Sequence, residues 1–249
     1  MGCSCVGPSK EKDKYCIENI LNDKIQEPKE IISNLPLTDY VKKVFSLINK
    51  VRLNPTEFVV VIETAEKFIK EINGRTIFDD NKIKVLLNEG KKMFEDCANY
   101  LKTLSPMSEL IFSDEIVLEC PKDEQNIKDI NYFKEKLLEK KEKFGIEAYF
   151  KDSIKIPEIS VLLMLVDDSA KNPRKKRETL LNPKFKYIGI SSSSDICEKN
   201  NEEKKENIEL NGNNNNENKN DEVNKGKEEF EKILKCELNK PFCAYFTFK

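Results

Sequence analysis

The run from Pro157 to Asp168 constrains this chain more than any other stretch. Ile159 to Val166 is its most apolar segment, and Glu158 to Asp168 read as a helix is apolar on nearly every side, so it is expected to form the central buried element. Pro157 suits the first turn of that helix, where its missing N–H removes no hydrogen bond. As a helix the apolar segment spans only about 12 Å, well short of the ~30 Å hydrocarbon core, so it is a core element and not a membrane span.

Amphipathic helices come before it. Thr38 or Asp39 can cap a helix in which Val41, Val44, Phe45, Ile48 and Val51 recur at three- and four-residue steps. Asn54-Pro55 interrupts it, because a residue before proline avoids the helical region. The pattern predicts further helices over Phe58 to Ile72, Lys82 to Thr103, Ser113 to Leu118 and Asn131 to Lys143. Strand signals come late, at Tyr187-Ile188-Gly189-Ile190 and Phe242 to Phe248, where β-branched and aromatic residues gather. Helices first, antiparallel strands last and one buried helix between them predict a layered α+β fold.

The 249 residues are enough for one sizeable domain with tails. A charged fraction of 35% against 38% hydrophobic is the balance of a compact domain diluted by solvated segments. Residues 1–34 read as anchor and tether, 35–197 as the domain, 198–227 as a disordered Asn/Glu/Lys-rich insertion, and 228–249 as a helix and closing strand. The 43 basic and 45 acidic residues are interleaved, and no nucleic-acid partner is expected. No histidine is present, which excludes Ser–His–Asp and Cys–His catalysis and histidine-ligated zinc. The eight cysteines form no CxxC pair, so no metal or other cofactor is expected. The first 34 residues hold no apolar run of signal-peptide length, which predicts a cytoplasmic chain with mostly reduced thiols.

The chain begins Met1-Gly2-Cys3-Ser4-Cys5-Val6. Loss of Met1 would expose Gly2 to N-myristoylation, with Cys3 and Cys5 placed for S-palmitoylation. One myristoyl chain gives reversible binding of roughly 10⁴ M⁻¹, and a second acyl chain makes residence stable. Lys10, Lys12 and Lys14 add attraction to an anionic cytoplasmic leaflet that Glu11 and Asp13 partly offset. Val6 departs from the usual Ser or Thr of the signal; the other reading is a frayed terminus with two incidental cysteines.

Three stretches carry a family resemblance: Ile48-Asn49-Lys50-Val51-Arg52-Leu53-Asn54-Pro55; Glu89 to Leu101 followed by Ser105-Pro106 and Ser113-Asp114-Glu115-Ile116; and Leu165-Val166-Asp167-Asp168, Arg174 to Arg177 and Leu180 to Ile190. In order and spacing they resemble the CAP superfamily, the cysteine-rich secretory, antigen-5 and pathogenesis-related group. The resemblance covers about Leu35 to Asp195, with Phe242 to Phe248 as closing strand. It implies an α-β-α layered domain with a small antiparallel sheet between helices. Many family members hold a divalent metal between two histidines and two acidic residues. Here the histidine positions fall at Asp123 and Lys176, and one acidic position falls at Glu147. The resemblance therefore implies a degenerate cleft without metal, in which Asp123 and Lys176 either form an ion pair or both face solvent.

These features favour a non-enzymatic binding module on the cytoplasmic face of a membrane, like the myristoylated Golgi-associated branch of the family. Its implied ligands are anionic lipids, sterols, a protein partner or a second copy of itself. One alternative is a soluble or cytoskeleton-associated interaction protein. A remoter one is a histidine-independent hydrolase using Lys175 or Lys176 near Ser169.

Overall fold

The computed structural model describes residues 37–80, 82–121, 123–168, 173–193 and 242–249. Helix α1 (Asp39–Leu53) starts where the Thr38 hydroxyl accepts a hydrogen bond from the Val41 N–H, and it ends at Asn54 before Pro55. A 3-10 turn at Pro55–Glu57 leads into α2 (Phe58–Ala65).

Here the chain departs from the periodicity. The helix expected to reach Ile72 ends at Ala65, and a three-stranded antiparallel meander follows: β1 (Ile69–Ile72), β2 (Arg75–Asp79) and β3 (Lys84–Leu86). Ile72 pairs with Arg75, so Asn73-Gly74 forms a two-residue turn with positive φ at both positions (52° and 72°). Asn-Gly tolerates that conformation and matches the twist of the flanking strands. The helix expected from Lys82 is α3 (Lys91–Thr103), which begins after Gly90, itself at φ 63°.

The 104–110 loop leads to β4 (Ile111–Phe112) and a single 3-10 turn at Asp114–Ile116, where a helix through Leu118 was expected. Helix α4 (Glu124–Lys128) precedes α5 (Ile130–Phe144), which Asp129 caps by accepting from the Asn131 N–H and left-handed Gly145 ends. Strand β5 (Ala148–Asp152), α6 (Pro157–Val166), α7 (Lys175–Leu180), β6 (Tyr187–Ser192) and β7 (Ala244–Phe248) complete the described fold.

The main sheet has the order β4-β6-β7-β5. Its three longer strands are antiparallel, and the short β4 adds to β6 in parallel. Side-chain alternation along the last strand builds the layers. Ala244, Phe246 and Phe248 join the core formed with α1 and α6, and Cys243 and Tyr245 pack with Ile127, Phe133 and Leu137 from α4 and α5. Phe246 stacks on Phe150 at 4.9 Å, and Tyr245 meets Phe133 at 4.5 Å on the opposite face. Full burial of each such ring stabilises the fold by about 2 kcal/mol. The result is an α+β fold whose sheet lies between α1 and α6 on one side and α5 on the other.

Two polar residues of α1 fix the loops to this core. The Asn49 amide donates to the Leu110 carbonyl and accepts from its N–H, at 3.0 and 2.8 Å. Arg52 is fully buried and donates to the carbonyls of Ser108, Leu180, Asn182 and Phe185. At Gly189 the sheet passes so close to its neighbours that a Cβ would lie 2.7 Å from Thr247 Oγ1 and 2.8 Å from the Ile116 backbone.

Candidate functional site

Lys176 is the sequence-predicted cleft residue that the fold places in a polar cluster. Backbone geometry sets its position: Arg174 adopts φ 72°, and the Lys176 N–H donates to Asp167 Oδ2 at 2.6 Å. From there its ammonium reaches Asp152 Oδ1 at 3.3 Å and lies 5.7 Å from the Phe150 ring centre. Asp152 ends β5, opposite Ala244 in the register with β7. Its other oxygen accepts the Ser160 hydroxyl at 2.8 Å and the Ile154 N–H at 3.3 Å. Ser160 is the lone hydroxyl of apolar α6, and its Oγ lies 3.1 Å from the Tyr40 hydroxyl. Burial and the Asp152 charge push the Tyr40 hydroxyl well above the ordinary range, so it stays neutral.

Tyr40, Ser160, Asp152 and Lys176 thus form a line from the interior toward the surface, with only Lys176 partly exposed. One cation and two hydrogen-bond donors thus face the buried Asp152 carboxyl, which offsets the cost of removing it from water. Ser160 Oγ is fully buried and engaged on both sides, so the cluster as it stands braces α1, α6, α7 and β5 against one another. Tyr40, Asp152 and Ser160 were missed from the sequence. The available signal was one Ser inside an otherwise apolar helix.

The other expected residues lie apart. Asp123 caps α4 by accepting from the Asn126 N–H and amide at 2.8 and 2.7 Å, and those hydrogen bonds hold its carboxyl below the ordinary range. Its partner is Asn126 and that of Lys176 is Asp152, so the Asp123–Lys176 ion pair is replaced by Lys176–Asp152. Glu147 sits just before β5 in an exposed pair with Lys184 at 2.5 Å. Gly2, Cys3, Cys5 and Ser169, the tether and the Asn-rich insertion lie outside the described residues. Among the described residues no three Cys, Asp or Glu side chains converge as metal ligands, and no helix is long and apolar enough to cross a membrane.

The basic turn also holds a second pair. Arg174 meets Asp96 through two hydrogen bonds, at 3.0 and 3.1 Å, and buried Arg177 meets it at 2.5 Å. Burial opposes the Asp96 charge, and the hydrogen bonds and positive charges of both arginines outweigh it, holding the carboxyl below its ordinary 3.8. The pair therefore stabilises the fold fully above that unfolded-state value, and its contribution is lost as pH falls through the lower folded value. Asp96→Asn is expected to reduce unfolding free energy at neutral pH by about 2 kcal/mol, a figure discounted because the carboxylate is one-third exposed. Urea titrations at a series of pH values should show this difference shrinking below 3.8; a difference independent of pH would contradict the assignment.

Comparison of the chain with protein-family models, curated proteins and solved structures finds no match.

Proposed function

We propose that this chain is a degenerate intracellular CAP-superfamily domain, acting as a non-enzymatic lipid- or protein-binding module. Acyl chains on Gly2, Cys3 and Cys5 tether it to the cytoplasmic face of a membrane. The observation that carries the reading is the internal closure around Lys176. The position that resembles a cleft histidine of the family instead holds an ion pair with buried Asp152, which is further bound by Ser160. Such a cluster braces the fold and leaves recognition to the surface.

Support for the family resemblance comes from the roles of its signature residues. Asn49 and Arg52 staple the loops that precede β4 and β6, and the sheet lies between helical layers. Support for the tether comes from Gly2 with two cysteines within three residues of it. Two acyl chains supply stable residence, so the domain itself needs only modest affinity for an anionic lipid, a sterol or a protein at that surface.

The test is the mass of the N-terminal peptide from natively expressed protein. A myristoyl group on Gly2, with hydroxylamine-sensitive acyl groups on Cys3 or Cys5, is the expected result. An unmodified Gly2 would put the soluble or cytoskeleton-associated reading in front.

A further inference from the structure

Two thiols far apart in sequence meet on the α5 face of the main sheet. Cys120 lies in the stretch between the Asp114–Ile116 turn and α4, and Cys243 directly precedes β7. Cys120 Sγ is 3.3 Å from Ser191 Oγ and 3.5 Å from the Cys243 carbonyl oxygen, and Cys120 packs against the apolar cluster that contains Cys243. Cys243 is held in place because its N–H donates to Ser193 Oγ at 3.0 Å and its carbonyl accepts from the Ser193 N–H at 2.9 Å. Cys243 is fully buried and Cys120 is half-buried, so a small oxidant from solvent meets Cys120 first.

We propose that Cys120 and Cys243 form a peroxide-responsive dithiol, closing reversibly into a disulfide that ties the segment before α4 to the start of β7. The step is balanced with hydrogen peroxide as oxidant. Cys120 passes its thiol proton to the neighbouring Cys243 thiolate and attacks one peroxide oxygen; the O–O bond breaks, and the leaving hydroxide takes that proton back from Cys243 to become water. The Cys243 thiolate then attacks the sulfenic sulfur; the S–O bond breaks, the S–S bond forms and a second water departs. The thiols lose two electrons and peroxide gains them. Closure needs the two sulfurs to approach to about 2.05 Å, a local shift at a loop and a strand end.

The surroundings favour the resolving step. The hydrogen bond from Cys120 lowers the Cys243 thiol below its ordinary range against the opposition of burial, and the Lys151 ammonium on neighbouring β5 adds to the lowering. Cys97 is the internal control. Burial pushes its thiol up to about 11, and it sits beside Arg177 in the other core layer. This inference is independent of the membrane reading.

The experiment uses the full chain, reduced and then treated with stoichiometric hydrogen peroxide, alkylated under denaturing conditions and digested without reductant. The expected product is a Cys120–Cys243 linked peptide, lighter by two hydrogens than its separate halves and released by dithiothreitol, with Cys97 still alkylated. Cys120→Ser, checked for a native circular dichroism spectrum, should leave Cys243 as a thiol under the same treatment. Because Cys120 is half-buried, this variant avoids the folding risk of replacing Cys243. The proposal is overturned if both cysteines remain alkylatable, if Cys120 stops at a sulfenic or higher acid beside a reduced Cys243, or if Cys120 links instead to Cys3, Cys5, Cys16, Cys197 or Cys236.

Discussion

Replacing Arg52 with methionine is expected to lower the unfolding free energy by about 4 kcal/mol, among the largest losses a single change can cause here. The side chain has no exposed surface, and its guanidinium gathers four backbone carbonyls from two separate loops. Methionine fills much of the volume but satisfies none of those acceptors; the Asn182 carbonyl keeps the Phe185 N–H, and the other three lose the guanidinium. For a domain of this size the midpoint of thermal unfolding should fall by roughly 10 °C. Arg52→Lys should recover only part of the loss, since a single ammonium cannot span carbonyls arranged around a planar fork. A methionine variant within about 1 kcal/mol of wild type in urea denaturation would show that the four contacts contribute little net stability.

The second large effect is expected at Asp152. Asp152→Ala strips the Lys176 ammonium of its counter-charge and leaves the Ser160 hydroxyl and the Ile154 N–H without their acceptor, at a cost of about 3 kcal/mol. Asp152→Asn should cost less, because its carbonyl still accepts from Ser160. A double-mutant cycle of Asp152→Asn with Lys176→Met should give a coupling free energy of about 1 kcal/mol, reduced by the partial exposure of the lysine. The same cycle of Asp123→Asn with Lys176→Met should give none, because Asp123 is engaged with Asn126. Coupling at Asp123 and none at Asp152 would reverse the assignment of the lysine's partner.

What the sequence revealed, and what it hid, follows from how local each signal is. Helix α6 was legible because an apolar run with proline in its first turn has few other homes, and α1 because Thr38, the apolar periodicity and Asn54-Pro55 mark its start, face and end. The β1–β2 hairpin was hidden by the apolar run of α2, which made a helix to Ile72 look continuous. The Asn73-Gly74 pair was the local sign against it. Strand β5 has only weak alternation, and its place comes from pairing with β7, remote in sequence.

Lys176 was marked by resemblance alone, and its partner could not be read because Asp152 reaches it through sheet register and the left-handed turn at Arg174. Asp123 looked like a cleft residue by alignment. Physically it is an N-cap, and the Asn three positions later is the local sign of that role. Arg52 and Asn49 of the family-like motifs proved to be fasteners between a helix and loops, their types set by the backbone groups they hold, whereas Arg174 and Arg177 hold the Asp96 carboxylate.

The functional reading depends on the tether, and fractionation of cells expressing the full chain and its Gly2→Ala variant tests it most directly. Without Gly2 the first acyl chain cannot be attached, and palmitoylation of Cys3 and Cys5 loses the transient membrane contact that precedes it. The account predicts wild-type protein in the membrane fraction and the variant in the soluble fraction, with equal thermal stability for both. A variant that fractionates like wild type would contradict the tether and leave an interaction protein without an acyl anchor.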